Sequence, residues 1–271
     1  MQEHWVPPPD PRLGGLVAGI SGYAYEGLAP GVHVGMPGPA LTLILPLEDP
    51  IVVSDGAAAS RAWPALASGL FATPMQVHHD GSQHGVQVDL TPAGARALLG
   101  VPAGELAQTL VALDDLAPGL ADAGRDGATL RARTRSVVEA LVRRLAANGA
   151  PPPEVAHAWT EIHRTRGAVA VGALAAQVGW STRHLGERFK DEYGLSPKTA
   201  GRLVRFDRAR RMVAAGVPLA ETATRCGYAD QAHLNRDWQG FVGLSPTRWR
   251  AEDRLVFVQD RDRPEVAGCR S

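Results

Sequence analysis

The chain has 271 residues and a mass of 28.7 kDa, enough for about two domains of ordinary size. Its 45% of hydrophobic and 21% of charged residues are typical of a folded globular protein and exclude an intrinsically disordered one. The two cysteines, Cys226 and Cys269, exclude a disulfide scaffold and indicate a reducing compartment. No apolar run is long enough to span a membrane, and no signal-peptide pattern is present, so we expect a cytoplasmic protein with no membrane partner.

The net charge of zero conceals an asymmetry between the two parts of the chain. Residues 1–153 contain 9 Arg and no Lys against 14 Asp and Glu, a net charge of −5. Residues 162–250 contain 15 basic against 7 acidic residues, a net charge of +8. A basic domain joined to an acidic one is typical of proteins that bind a polyanion through one domain only.

Short strands are predicted for about the first 90 residues. The apolar run 41–47 has the length of a strand and ends near Pro46. The alternating segments 77–80 and 86–90 flank Asp80-Gly81 as the two strands of a hairpin would.

Helices follow these strands. Pro92 begins a short helix that Gly100 ends. A longer helix is expected over 129–147, and its apolar stripe fits packing on its own domain as well as a dimer contact. These patterns predict an α+β N-terminal domain over 1–147, followed by a Pro-rich linker over 148–153.

The part after the linker contains an internal repeat. At an offset of 48, the matched pairs are Val171 with Leu219, Ala175 with Ala223, Val178 with Cys226, Gly179 with Gly227 and Trp180 with Tyr228. At an offset of 49, they are His184 with His233, Leu185 with Leu234, Phe189 with Trp238, Gly194 with Gly243 and 195–197 with 244–246. A self-match of this extent indicates that one supersecondary unit is present twice.

Each copy has the pattern of two helices joined by a tight turn. Gly179 supplies the positive φ that ends one helix and Ser181 caps the next, and Gly227 and Asp230 do the same in the second copy. This is the helix-turn-helix plan, whose second helix enters the DNA major groove and contacts base edges with its N-terminal residues. Two copies in a basic segment favour DNA-binding helix-turn-helix units over ordinary helical hairpins. The predicted partner is therefore double-stranded DNA.

The segment Val171–Trp249 resembles the DNA-binding domain of the AraC/XylS family of transcriptional regulators. The residues that carry the resemblance are Leu174-Ala175, Gly179-Trp180-Ser181, His184-Leu185, Arg188-Phe189-Lys190, Gly194-Leu195-Ser196-Pro197, Ala223, Cys226-Gly227-Tyr228, Leu234, Trp238, Gly243-Leu244-Ser245-Pro246 and Trp249-Arg250. The resemblance implies an all-α domain over 154–250 with seven helices and two helix-turn-helix units, followed by a tail over 251–271. At Trp238-Gln239 the family usually has Phe-Lys, so this chain lacks one positive charge there.

The predicted base-contacting residues face outward near the start of each second helix. They are Thr182, Arg183, Gly186 and Glu187 in the first copy and Gln231, Ala232, Asn235 and Arg236 in the second. Arginine can bind guanine in a bidentate fashion, Gln and Asn can pair with adenine, and Glu can accept a hydrogen bond from cytosine. The predicted phosphate contacts, which position the protein without specifying sequence, are Arg188, Lys190, Arg205 and Arg248.

The resemblance also implies that the N-terminal domain binds a small-molecule effector or forms a homodimer, and that it is a small β-barrel-like sheet followed by helices. The candidate residues for an apolar effector pocket are Trp5, Tyr23, Tyr25, Trp63 and Phe71. We predict no cofactor and no enzymatic activity, because the sequence has no Ser–His–Asp spacing, no Gly-rich phosphate loop and no HExxH motif.

A metal-binding sensor or enzyme is the alternative function. His78 and Asp80 would share one face of a strand, and a hairpin would bring His84 across from them. Two histidines and one carboxylate form a plausible metal-ligand set, although polar residues are also common at hairpin ends.

Overall fold

A computed structural model describes residues 2–54, 59–145 and 150–252 of the chain. Strands dominate the N-terminal domain and helices make up the C-terminal one. The described strands are β1 (Gln2–Trp5), β2 (Val17–Tyr25), β3 (Gly31–Gly35), β4 (Leu41–Pro46), β5 (Ile51–Ser54), β6 (Arg61–Trp63), β7 (Leu66–Ser68), β8 (Met75–His79), β9 (Gln83–Leu90) and β10 (Leu110–Ala112).

The strands form two antiparallel sheets. The first sheet has the order β1-β2-β9-β4-β7-β10, and its longest pairing runs from Val17 opposite Leu90 to Tyr25 opposite Gln83. The second has the order β3-β8-β5-β6. Ile44 of the first sheet packs in one apolar cluster with strand residues of the second sheet. Over the described residues the predicted α+β N-terminal domain is confirmed, and its β-barrel-like sheet takes the form of two facing open sheets rather than a closed barrel.

The predicted hairpin around Asp80-Gly81 is wrong. Strand β8 pairs with β3 and β5, whereas β9 pairs with β2 and β4. A carboxylate oxygen of Asp80 accepts hydrogen bonds from the amide and hydroxyl of Ser82 at 3.1 and 3.0 Å, and Gly81 has a φ of +116°. This turn carries the chain from one sheet to the other. Both sheets bury one face, so apolar alternation located the strands without identifying their partners.

Short helices and one long helix complete the N-terminal domain. They are α1 (Pro92–Gly94), α2 (Leu113–Leu116), α3 (Leu120–Ala123) and α4 (Leu130–Arg143), with a π-helical turn over 95–99 and a 3₁₀ turn over 103–106. Gly100 has a φ of +79° and ends the first helical segment as predicted.

Helix α4 packs on its own domain. Val137 and Leu141 are fully buried, and Val138 and Val142 pack against the same core. Gly22 of β2 lies so close to Thr134 that a Cβ at position 22 would overlap the Thr134 hydroxyl. The apolar stripe of this helix therefore packs within the chain.

Residues 150–252 contain seven helices, as the resemblance implies. They are α5 (Pro153–Arg164), α6 (Val171–Gln177), α7 (Thr182–Tyr193), α8 (Pro197–Ala214), α9 (Leu219–Arg225), α10 (Gln231–Val242) and α11 (Pro246–Glu252). Pro153, the last residue of the predicted linker, is the first residue of α5, and residues 148 and 149 of that linker lie outside the described ranges.

The two halves of the helical domain have matching cores. Trp159 of α5 lies against Phe189 and Tyr193 of α7, with ring centroids 6.0 and 4.5 Å apart. Phe206 of α8 lies against Trp238 and Phe241 of α10, with centroids 5.2 and 5.0 Å apart. Each helix-turn-helix unit thus rests on the helix that precedes it. None of the described helices is long and apolar enough to cross a membrane.

Candidate nucleic-acid interface and effector cavity

The helix-turn-helix geometry is built twice, from the same kinds of residues. Gly179 and Gly227 have φ values of +71° and +76°, which let the chain turn sharply after α6 and α9. The Ser181 hydroxyl accepts the His184 amide at 3.2 Å, and an Asp230 carboxylate oxygen accepts the His233 amide at 2.6 Å. These caps fix the first turns of α7 and α10, the turns that carry the predicted base-contacting residues.

In the first unit the predicted base-contacting side chains are accessible. Thr182, Arg183 and Glu187 are exposed, and Gly186 is half-buried. The Arg183 Nε donates to a Glu187 carboxylate oxygen at 2.9 Å. Arg183 and Glu187, which are predicted to contact guanine and cytosine, therefore form an ion pair with each other across one helical turn in the protein without DNA.

In the second unit Gln231, Ala232 and Arg236 are exposed. Asn235 is half-buried, and its Oδ1 is buried with no hydrogen-bond partner among the described residues. The repeated histidines have a structural role, because His184 packs edge-to-face against Trp180 and His233 packs edge-to-face against Tyr228. Their ring centroids are 4.6 and 5.1 Å apart, and the His233 Nδ1 also accepts the Ala229 amide at 3.3 Å.

The predicted phosphate contacts divide into two groups. Arg188, Lys190 and Arg248 are exposed. Arg205 is half-buried, with its guanidinium 5.2 Å from the centre of the Tyr228 ring, and its Nε is buried with no hydrogen-bond partner in the part of the chain that the structure describes. Arg205 therefore packs against Tyr228 of the second unit. Its charge in the sequence did not indicate that it would be packed in this way.

A cavity of about 970 Å³ lies between the two sheets and the helical domain. Its sheet side is largely apolar and includes Ile20, Val34, Ile44, Val53, Phe71 and Val77. Its helical side is basic and includes Arg164, Arg166, Arg208, Arg210 and Arg211.

Acidic groups compensate the basic side of the cavity only in part. Arg164 makes two hydrogen bonds to the Glu161 carboxylate, both at 2.8 Å. The Asp207 carboxylate accepts hydrogen bonds from Arg210 and Arg211, each at 2.8 Å. Arg208 donates instead to the neutral backbone oxygen of Arg225 at 2.6 Å. His163 adds no positive charge at neutral pH, because burial lowers its pKa to about 4. The helical side of the cavity is thus electropositive.

Of the five aromatic residues predicted for an effector pocket, Tyr23 and Phe71 line this cavity. Tyr25 is fully buried and stacks on Tyr23, with centroids 5.6 Å apart. Trp63 belongs to the small core between the sheets, under the guanidinium of Arg61, and Trp5 is on the edge strand β1 opposite Gly22. The presence of aromatic residues in the sequence indicated apolar surface. Whether a given side chain faces the cavity depends on the pairing register of its strand.

The predicted metal ligands line one pocket of about 440 Å³, but each of them interacts with another group. His78 shares a hydrogen bond of 3.0 Å with the Ser54 hydroxyl, the His84 Nδ1 lies 2.6 Å from a Glu48 carboxylate oxygen, and Asp80 caps its own turn. Among the described residues no group of three or more His, Cys, Asp or Glu side chains is placed to hold a metal ion. Strands β8 and β9 belong to different sheets, so the predicted hairpin that would place His84 opposite His78 and Asp80 does not form.

Comparisons with known proteins agree with the geometry of the helical domain. Residues 174–252 match a family model described as a helix-turn-helix domain, and no curated protein matches the chain. ToxT from Vibrio cholerae O395 is 7% identical, with a TM-score of 0.51 over 86% of this chain and 97% of that one. ToxT from strain SCE256 with a bound unsaturated fatty acid is also 7% identical, with a TM-score of 0.51 over 85% and 94%. The C-terminal domain of AraT, a response regulator from Geobacillus stearothermophilus, is 23% identical, with a TM-score of 0.36 over 38% and 88%.

The C-terminal domain is therefore a helix-turn-helix domain of the DNA-binding class. Over this segment the resemblance to AraC/XylS transcriptional regulators is confirmed, and the likeness to ToxT extends the common fold to the N-terminal domain.

Proposed function

We propose that this protein is a sequence-specific, DNA-binding transcription regulator of the AraC/XylS type whose N-terminal domain responds to a small-molecule effector. The observation that carries the proposal is the repeated unit with its capped and exposed second helix. Helix α8, which joins the units, has 18 residues. At 1.5 Å per residue it spans roughly 27 Å, somewhat less than the ~34 Å between successive major grooves on one face of DNA. A modest bend in the duplex would let α7 and α10 occupy adjacent grooves.

The roles assigned to side chains follow from their chemistry. Arg183 and Arg236 would bind guanine, Glu187 would accept from cytosine, and Gln231 and Asn235 would pair with adenine. Thr182, Gly186 and Ala232 would make the closest backbone and methyl contacts. Arg188, Lys190 and Arg248 would contact phosphates. Since Arg205 is packed on Tyr228, it would reach a phosphate only after leaving that ring.

The division of labour between domains is part of the proposal. Residues 1–147 would form the effector and dimerisation domain, 148–153 the linker and 154–250 the DNA-binding domain, with 251–271 as a tail. The protein would act in the cytoplasm and would not be an enzyme. Homodimerisation stays a prediction that sedimentation of the full chain checks.

The effector is proposed to be an apolar molecule with an anionic group. The sheet side of the cavity offers apolar surface and the helical side offers arginine charge for a carboxylate or similar group. The Nδ1 of His33 points to a neutral hydrogen-bonding group on the ligand as well, because it is buried without a partner among the described residues and burial lowers the His33 pKa to about 4. The fatty acid in the ToxT structure is a molecule of this class.

The experiment is selection of genomic fragments by the purified full chain, followed by binding titrations at several salt concentrations. A recovered site should bind about 10³-fold or more tightly than random DNA of equal length. Equal affinity at every salt concentration would refute sequence-specific binding. Titration with dodecanoate and with dodecanol then tests the effector class, because only the carboxylate should bind tightly if the arginines hold the anionic group.

A further inference from the structure

The first helix-turn-helix unit is docked on the N-terminal domain through the last turn of α7. The guanidinium of Arg96, in the π-helical turn 95–99, makes two parallel hydrogen bonds to the Glu192 carboxylate, at 2.8 and 2.6 Å. The Glu192 side chain is only 6% exposed and that of Arg96 25%. This bond raises the pKa of Arg96, and a bidentate pair of this kind fixes both distance and orientation.

Beside this pair the two domains also approach each other closely at the backbone. A Cβ at Gly104 would overlap the backbone carbonyl oxygen of Asp191, so the 3₁₀ turn 103–106 rests directly on the end of α7. The methyl group of Ala107 lies against Gly194, the residue with a φ of +71° that ends the helix. Two glycines thus allow the domains to approach at the backbone level.

The internal repeat indicates that this contact is not required by the helix-turn-helix fold itself. At the offset of 49, Glu192 corresponds to Phe241. Phe241 is buried within its own unit against Phe206. Gly194 corresponds to Gly243, and around a Cβ at position 243 no described atom lies within 4 Å. The first unit, which contacts the N-terminal domain, therefore has a buried glutamate where the second unit has a buried phenylalanine.

The same turn of α7 also borders the effector cavity. Tyr193, which follows Glu192, lines the cavity together with Trp159, and these two rings form part of the core of the first unit. We propose that Arg96 and Glu192 are positioning residues that fix the first base-contacting helix relative to the N-terminal domain, through an ion pair that the second unit, with Phe241 in place of Glu192, does not make. The proposal rests on the proposed function, because it assigns a role in DNA recognition.

The test uses hydrogen exchange of the full chain without DNA. Arg96→Gln removes the ion pair, and Gly104→Ala blocks the backbone approach without changing any charge. Each variant should speed exchange about 10-fold in segments 103–107 and 189–194, and leave segment 238–243 within about 2-fold of the wild type. Arg12→Gln is the matched control, because Arg12 makes a similar two-bond contact with Asp10 inside the N-terminal domain, at 3.0 and 2.7 Å.

The exchanged pair Arg96→Glu with Glu192→Arg separates positioning from simple loss of stability. It should restore slow exchange in both segments, which a nonspecific effect of either substitution would not do. Unchanged exchange at 189–194 in both single variants, or equal acceleration at 238–243, would overturn the proposal.

A footprint on the selected DNA site provides the functional measurement. Arg96→Gln and Gly104→Ala should weaken protection of the half-site bound by α7 about 5-fold and leave the half-site bound by α10 unchanged. Equal weakening of both half-sites, or no weakening at all, would contradict the positioning role. Absence of any specific site would refute the proposed function instead, while the exchange measurement would still decide whether the pair joins the domains.

Discussion

The two helix-turn-helix units have the same internal design and different surroundings. In each unit a capped helix lies on an aromatic residue of the preceding helix, Trp159 for the first and Phe206 for the second. The first unit also contacts the N-terminal domain through the end of α7, whereas α10 packs mainly on its neighbouring helices α8, α9 and α11. The residues shared by the two copies therefore build the helix-turn-helix fold. The residues that differ between the copies mark the surface through which each unit contacts the rest of the protein.

The largest expected effect comes from the cores of the two units. Trp238 is fully buried between Phe206 and Trp249, and Trp238→Ala should cost about 3–5 kcal/mol of stability. Hydrogen exchange should then show α8–α11 opening while the N-terminal domain stays protected. Phe189→Ala, the matched change in the first unit, should also open segment 103–107. If both variants opened the same segments, the two units would not differ as the comparison requires.

This contrast also separates what the sequence predicts from what it does not. The repeat predicted both units, their glycine turns and their caps, because local backbone chemistry fixes them. The contact between Arg96 and Glu192 joins residues 96 positions apart and has no local signal. The only hint was a charged residue at a position where the other copy has Phe241.

The N-terminal domain was less predictable for a related reason. Strand-length segments such as 41–47 were recognised, but the pairing of β8 and β9 was not. Sheet partners and the direction of Tyr25 and Trp63 depend on tertiary packing, which periodicity in one chain does not encode.

The second prediction concerns acid pH and buried histidines. Burial gives His163, in the helix beneath the first unit, a pKa of about 4 in place of 6.5. Between these values the unfolded chain binds a proton that the folded chain does not, so the free energy of unfolding decreases as the pH falls, by about 2–3 kcal/mol at pH 4.5. His33 has the same shift, and each of His163→Phe and His33→Phe should remove about half of the combined loss. Urea denaturation at pH 7 and 4.5 measures it, and an unchanged pH dependence in both variants would contradict the assignment.

The third prediction compares base contacts in the two units. Arg236→Ala and Arg183→Ala should each cost about 1–3 kcal/mol at the selected site and relax specificity at one base pair. Arg183 is held by Glu187 at 2.9 Å, so Glu187→Ala should alter specificity in the first half-site as well. Selection from randomised half-sites measures both. Uniform weakening across all sequences would assign these side chains to phosphates instead.

The smallest expected effect concerns phosphate contacts. Lys190 is exposed on α7, and Lys190→Gln should weaken binding to all sequences alike and reduce the slope of log K against log salt by about 0.9. Arg205 carries the same charge but is packed against Tyr228, so Arg205→Gln should leave that slope unchanged and lower the stability of the second unit. Titrations at several salt concentrations, combined with denaturation, separate the two results. A reduced slope with Arg205→Gln would mean that the Arg205 side chain leaves Tyr228 when DNA binds. The second unit would then rearrange on binding, whereas the first unit is already held by the N-terminal domain.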